Sequence, residues 1–334
     1  MPTPEQYEGC LLGQAVGDAV GMPLEAAAPS RCRELLDQLE ENEFRHSGFY
    51  YGMPFGQYTD DTQLARELAC SLVERQGWDA VDYAGRIADM FESGRIFGQG
   101  MATTKAAMRL IQGVTWERSG EMAPSAGNGS AMRAAPVGLV YVENPEQLLK
   151  TAHEQGFITH QDPRCSAGSV AIAGGTALAL YWEGHDTDAF LQQLSDWVGV
   201  YHRNFASSIR KLSHWLELEP KQAASEIRDV GVDTNWHIGG AGITPFVISS
   251  VLWSLYSFLR FPNDYWKAVR TAVEVSGDVD TTGAMTGALA GAHLGLDAIP
   301  EPLLEVVQDQ GEWGQLDLRS LGQGLYTLAE AMHR

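Results

Sequence analysis

The sequence predicts an all-α fold, and three observations lead there. Apolar residues recur every three or four positions through most of the chain, which is the spacing of one helix face. No segment shows the strict alternation of a half-buried strand. Two long segments, one near each end, carry glycines four apart, a pattern that suits helices packed backbone to backbone. With no tandem repeat and no low-complexity linker, residues 1–334 read as one domain.

The first helix, 5–20, is marked by Tyr7, Leu11, Leu12, Ala15, Val16 and Ala19 on one face and by Gly9, Gly13, Gly17 and Gly21 on another. Glycine costs about 1 kcal/mol in a helix interior, so a stripe of four implies a partner helix lying against it. Asp18 and Glu25 sit at the end of this helix and in the loop beyond it; each alone reads as a structural or solvated acid. Residues 31–41 form a charged amphipathic helix, and 46–58, rich in Gly, Tyr and Phe, an ordered loop. Helices follow at 62–75 and 78–93. Gly98-x-Gly100, within 94–101, signals a close backbone approach, and 103–112 is helical up to Gly113.

Residues 125–133, with Gly127, Asn128, Gly129, Ser130, Met132 and Arg133, read as a glycine-rich turn running into a helix start. Exposed N–H groups there suit an anion. No Lys-Ser/Thr follows, so this is not the Walker phosphate loop, and it is not GxGxxG behind a strand. Helices continue at 144–155, 166–182, 187–201 and 204–216, interrupted by 158–163, where His160 is either a capping or core histidine or a pocket residue. A second glycine-rich loop, 236–245, precedes a long apolar helix at 243–259 and an amphipathic one at 262–275. Gly283, Gly287, Gly291 and Gly295 then repeat the four-residue stripe, and 300–308 and 317–332 close the chain. If the two stripes pack together, residues 13–18 come near 278–281.

Lys plus Arg is 23 against 43 Asp plus Glu, a formal net charge of −20. That repels nucleic-acid backbones and anionic membranes, so no partner of either kind is expected. The four cysteines form no CxxC pair; Cys10 and Cys70 read as buried thiols, which fits a reducing cytoplasm. No signal pattern opens the chain and no apolar run approaches a membrane span, so a soluble, cytoplasmic, monomeric protein is expected.

Two short stretches carry the chemistry: Tyr58-Thr59-Asp60-Asp61-Thr62 and Ser276-Gly277-Asp278-Val279-Asp280-Thr281. Both pair carboxylates with threonine hydroxyls at a helix mouth. These are hard oxygen ligands, suited to Mg²⁺, Mn²⁺ or Ca²⁺ rather than zinc or copper. The plainer reading is helix capping, for which Asp and Thr are good residues. A cap needs only one of Asp60 and Asp61, however, and two acid pairs brought together repel unless cations neutralise them.

Taken in order, the segments Gly9-Cys-Leu-Leu-Gly-Gln-Ala-Val-Gly-Asp-Ala-Val-Gly21 with Glu25, Thr59-Asp-Asp-Thr62, Gly127-Asn-Gly-Ser-Ala-Met-Arg133, Thr159-His160 and Gly277-Asp-Val-Asp-Thr281 resemble the ADP-ribosylglycohydrolase family over residues 7–296. The family includes dinitrogenase reductase-activating glycohydrolases and ADP-ribosyl-acceptor hydrolases. The resemblance implies a compact orthogonal multi-helix bundle around a two-metal site. It implies two divalent cations, Mg²⁺ or Mn²⁺, on Thr59, Asp60, Asp61, Asp278, Asp280 and Thr281. The implied reaction is hydrolysis of the N- or O-glycosidic bond at C1″ of ADP-ribose on a modified protein or derivative. It implies Glu25 as acid/base, with Asp61 or Asp280 sharing that role. The implied substrate pocket contains Gly98, Gly100, Gly127, Asn128, Gly129, Ser130, Met132 and His160. Arginine-specific relatives often carry Asp-Ile-Gly where this chain has Ile96-Phe97-Gly98, and Gly98-x-Gly100 with Thr104 looks more like relatives acting on O-linked ADP-ribose. The lean is therefore to O-linkage. Two other readings stand beside it: a two-metal hydrolase of a free nucleotide-sugar or phosphoester, and a non-catalytic, crystallin-like binding protein.

Overall fold

The computed structural model describes residues 2–232 and 242–333. Of the second glycine-rich loop, 236–241 lie outside the described residues. The helices are α1 (Pro4–Gly21), α2 (Pro29–Glu41), α3 (Asp60–Arg75), α4 (Ala80–Glu92), α5 (Met101–Ile111), α6 (Trp116–Ser119), α7 (Ala135–Val140), α8 (Pro145–Phe157), α9 (Pro163–Ala179), α10 (Thr187–Gly199), α11 (Arg203–Arg210), α12 (Leu212–Trp215), α13 (Pro220–Ile227), α14 (Val247–Arg260), α15 (Tyr265–Val273), α16 (Val279–Leu294), α17 (Glu301–Val306) and α18 (Gln315–Met332). The fold is all-α, as the periodicity predicts. One exception sits in the stretch read as an ordered loop. There β1 (Phe49–Tyr50) pairs antiparallel with β2 (Met53–Pro54). Tyr51 and Gly52 between them both hold positive φ, 52° and 81°, the geometry of a tight two-residue hairpin turn.

Three boundaries differ from expectation for identifiable reasons. The turn at 127–130 does not run straight into a helix. The Asn128 carbonyl accepts N–H bonds from both Ala131 and Met132, and α7 begins only at Ala135, with Pro136 in its first turn. The apolar helix begins at Val247, because Ile243 is bridged to Gly277 and Pro245 disfavours helical backbone just before it. The expected 204–216 helix divides into α11 and α12 around Lys211.

The central pair is α1 with α16, antiparallel and in backbone contact. A Cβ on Gly13 would stand 2.4 Å from the Gly287 carbonyl oxygen, and one on Gly17 would stand 2.1 Å from that of Gly283. The two stripes therefore face one another, Gly9 against Gly291 and Gly21 against Asp280. Both helices are buried on nearly every face, which explains why neither shows a polar side. Tyr265 of α15 donates its hydroxyl to the Gly13 carbonyl (2.7 Å), filling the gap beside the stripe. The pairing sets the C-terminal end of α1 beside the N-terminal end of α16, and there the acids collect.

Candidate active site

The first half of the site is built where α1 meets α3. Asp18, fully buried, accepts from the Thr59 N–H (3.0 Å), the Thr59 hydroxyl (2.9 Å), the Thr62 N–H (3.1 Å) and the Thr62 hydroxyl (2.7 Å). These bonds fix the start of α3, which carries Asp60 and Asp61. The Thr59 hydroxyl also lies 3.0 Å from Asp61 Oδ2. The Asp60 N–H donates to the Phe97 carbonyl (2.8 Å), and Gln63 accepts the Phe97 N–H (2.9 Å). Gly98, at φ 87°, then passes so close that a Cβ there would lie 3.0 Å from Thr59 Cβ and 3.3 Å from Asp60 Oδ1. The close approach signalled by Gly98-x-Gly100 is this one.

The second half is the start of α16. Gly277, at φ 99°, runs against Ile243, and a Cβ would sit 1.9 Å from the Ile243 carbonyl oxygen. The Asp278 N–H donates to that same carbonyl (2.8 Å), and the Ala26 N–H donates to the Gly277 carbonyl (2.9 Å), which brings Glu25 to the edge of the site. Asn128 donates its side-chain amide to Asp278 Oδ2 (2.5 Å), and the Thr281 hydroxyl reaches Asp278 Oδ1 (3.3 Å). One carboxylate oxygen each of Glu25, Asp278 and Asp280 lies within 4.8 Å of the others.

Both halves open onto one cavity of about 450 Å³, walled in part by Asp60, Asp61, Asp278, Asp280 and Thr281. Gly98, Gly100, Met101, Thr103, Lys105, Glu121, Ser125, Gly127, Asn128, Gly129, Met132 and His160 also line it. Glu25 is exposed at the edge; the four aspartates are buried. The N–H groups of Gly129 and Ser130 have no hydrogen-bond partner among the described residues, so two backbone donors remain on this turn. Gly129 has no room for a side chain, since a Cβ would meet the His160 ring at 2.8 Å.

Burial dominates the electrostatics. It raises Asp60 to about 8, with Asp18 and Asp278 adding repulsion. It raises Asp278 to about 6, opposed by the Asn128 amide, and Asp18 to about 7, opposed by Thr62 and Thr59. Asp61 and Asp280 are pushed well above the carboxylate range by burial first and by neighbouring acids second. Partial desolvation raises Glu25 too. Burial and the Arg133 guanidinium lower His160 to about 3, so its ring is neutral. Arg133 Nη2 donates to the Thr159 hydroxyl (2.8 Å), which lies 2.8 Å from His160 Nδ1. The same hydroxyl also lies 3.4 Å from the Gly156 carbonyl, so the neutral ring takes its proton at either nitrogen.

The donor set fits hard divalent cations. Four buried carboxylates with two threonine hydroxyls are oxygen ligands only. Asp61 Oδ1 is buried with no hydrogen-bond partner, an arrangement that is costly unless a cation satisfies it.

Of the residues singled out in the sequence, Glu25, Asp60, Asp61, Gly98, Gly100, Gly127, Asn128, Gly129, Met132, His160, Asp278, Asp280 and Thr281 meet at this cavity, and the Thr59 hydroxyl is bonded to Asp61. Ser130 offers the turn its backbone and not its side chain. Its hydroxyl points into the core and donates to the Cys165 carbonyl (3.1 Å), so only its backbone faces the turn. Asp18 is neither solvated nor idle. Arg133, fully buried, is held by Gln155, Thr159 and the Gly129 carbonyl, and it clamps the turn to the His160 segment. Lys105, Glu121 and Thr103 were not flagged because nothing in their local sequence distinguishes them.

Comparison with known proteins gives the family. The family model for ADP-ribosylglycohydrolase matches residues 2–333. The ADP-ribosylhydrolase ARH3 of Bos taurus is 28% identical, over 89% of this chain and 87% of its own. The ADP-ribosylarginine hydrolase Tri1 of Pseudomonas putida is 27% identical, over 98% of this chain and 80% of its own. A solved structure described as an ADP-ribosylglycohydrolase-related protein complex superposes with a TM-score of 0.70 at 27% identity, covering 98% of both chains. The chain belongs to the ADP-ribosylglycohydrolase family, enzymes that hydrolyse glycosyl bonds.

Proposed function

We propose that this protein is a metal-dependent hydrolase that removes ADP-ribose from modified proteins by cleaving the bond at C1″, with Thr59, Asp60, Asp61, Asp278, Asp280 and Thr281 holding two Mg²⁺ or Mn²⁺ ions. The observation that carries this reading is the buried Asp61 Oδ1 without a hydrogen-bond partner, on a carboxylate that lines the same cavity as Asp278 and Asp280 and is repelled by both. When bound, the cations orient ribose hydroxyls and lower the pKa of a coordinated water. Cleavage passes through an oxocarbenium-like state and needs a proton for the leaving atom. Glu25, exposed beside Asp278 and Asp280 and with a raised pKa, is the group we assign to carry that proton. The N–H groups of Gly129 and Ser130 suit the diphosphate, and the neutral His160 ring suits a ribose hydroxyl.

The acceptor we favour is an O-linked one. The segment Ile96-Phe97-Gly98 brings no carboxylate to the cavity, and its backbone is pinned by Gln63 and Asp60. A guanidinium would lack the acid it needs there. Four buried free thiols fit a reducing compartment, and we place the reaction in the cytoplasm with the protein acting as a monomer.

The test is release of ADP-ribose from two matched peptides, one modified on serine and one on arginine, with Mg²⁺ and with EDTA. Metal-dependent release from the serine peptide is expected. Release from arginine alone would overturn the linkage, and release indifferent to EDTA would overturn the metals.

A further inference from the structure

We propose that Asp18 is a positioning residue for the cation centre: it caps α3 from another helix and so leaves the Thr59 hydroxyl available as a ligand. This rests on the metal reading above.

A helix start normally receives the side chain of its own N-cap residue, which accepts the N–H of the second or third helical position. Six helices among the described residues do this: Asp79 caps α4, Asn144 caps α8, Asp162 caps α9, Asp186 caps α10, His202 caps α11 and Asp264 caps α15. The two helices that carry the acid pairs do not. Thr59 stands at the N-cap of α3 in extended backbone, where a threonine would cap well, yet its hydroxyl accepts no N–H from the helix. Asp278 stands at the N-cap of α16 and also makes no capping bond, its carboxylate being engaged by Asn128.

At α3 the missing bond is supplied from α1. Asp18 Oδ2 accepts the N–H of Thr62, the third helical residue, at 3.1 Å. The Thr59 hydroxyl is then free to donate, and the carboxylates it faces are Asp18 Oδ1 (2.9 Å) and Asp61 Oδ2 (3.0 Å). A hydroxyl whose proton is held by a carboxylate turns its lone pairs away from that carboxylate, which is what a hard cation requires. Asp18 does not line the cavity, and four donors already occupy its oxygens, so it acts through Thr59.

The experiment is calorimetric titration of the full chain with Mn²⁺ alone, beside thermal melting in EDTA, for wild type, Asp18→Asn and Thr62→Val. Asp18→Asn is expected to weaken Mn²⁺ binding roughly 10- to 100-fold with its helical circular dichroism kept. Thr62→Val removes the hydroxyl that anchors the start of α3 to Asp18 but keeps the capping N–H and the Thr59–Asp18 pair; it should melt a few degrees lower and bind Mn²⁺ within about threefold of wild type. Wild-type affinity in Asp18→Asn would overturn the inference. So would an affinity loss in Thr62→Val as large as the drop expected for Asp18→Asn, because affinity would then only follow the stability of the helix start; that arm decides the matter even if Asp18→Asn fails to fold. Absence of Mn²⁺ binding in wild type would instead overturn the metal reading itself, and this inference with it.

Discussion

Asn128 and Asp278 lie 150 positions apart and are joined by an amide-to-carboxylate hydrogen bond of 2.5 Å. The same Asn128 donates its backbone N–H to the Pro245 carbonyl, so the glycine turn, the loop before α14 and the start of α16 are tied at one residue. Asn128→Ala should leave the Asp278 carboxylate unoriented and weaken Mn²⁺ binding roughly 10- to 100-fold, with helical content unchanged. Titration calorimetry and circular dichroism check both halves of this.

Asp61→Asn and Asp280→Asn should each abolish turnover while melting in EDTA at least as high as wild type. Each removes a buried acid that repels its neighbours when no cation is bound. Glu25→Gln should lose turnover yet still bind ADP-ribose, measured by titration. Loss of binding would instead make Glu25 part of the pocket's support.

The pH dependence of stability should reverse with metal. Asp60, Asp18 and Asp278 have folded values of about 8, 7 and 6, above an unfolded value of about 4. Such groups hold their protons more tightly in the folded state, so metal-free stability rises as pH falls from about 8 toward 5. Cations need the deprotonated acids, so the stabilisation by Mn²⁺ should grow over the same interval as pH rises. Melting temperatures with Mn²⁺ and with EDTA, taken at several pH values, test this. A constant difference between them would remove these carboxylates from the site.

His160 is neutral throughout the physiological range, so it can donate a hydrogen bond but cannot supply a titrating proton. His160→Gln should lower kcat/KM roughly 3- to 10-fold, the worth of one hydrogen bond, and leave the pH–rate profile where it is. A displaced limb between pH 5 and 9 would show that the ring titrates during catalysis.

The glycine stripe predicts a contrast between two Gly→Ala substitutions, both inside helices. Gly17→Ala places a Cβ 2.1 Å from the Gly283 carbonyl oxygen and should destabilise by about 1–3 kcal/mol or more. Gly85→Ala meets nothing within 4 Å and should stabilise by about 0.5–1 kcal/mol. Chemical denaturation of the two variants decides it.

These acids and glycines were legible because their signals are local. Thr59-Asp60-Asp61 and Asp278-x-Asp280 keep their chemistry within a few residues, and a four-residue glycine period announces a close neighbour without naming it. What was illegible depends on partners far along the chain. Asp18 is one acid on an apolar helix, and its meaning lies in donors 41 and 44 positions away. Nothing next to Arg133 in the sequence shows that Gln155 and Thr159, 22 and 26 positions on, enclose it. The direction of the Ser130 hydroxyl depends on α9 passing beneath the turn. The hairpin at Phe49–Pro54 is two residues per strand, too short for any alternation to register.

The contact between α1 and α16 also sets a schedule. The two helices are separated by roughly 260 residues, and ribosomes add about 5–20 residues per second. The first helix thus emerges with its bare glycine groove and its apolar faces uncovered, and it waits some tens of seconds before its mate is made. Thr59, Asp60 and Asp61 wait with it. No nascent fragment ending before residue 280 contains all four of the cavity's aspartates, so the acid cluster is assembled only late in synthesis.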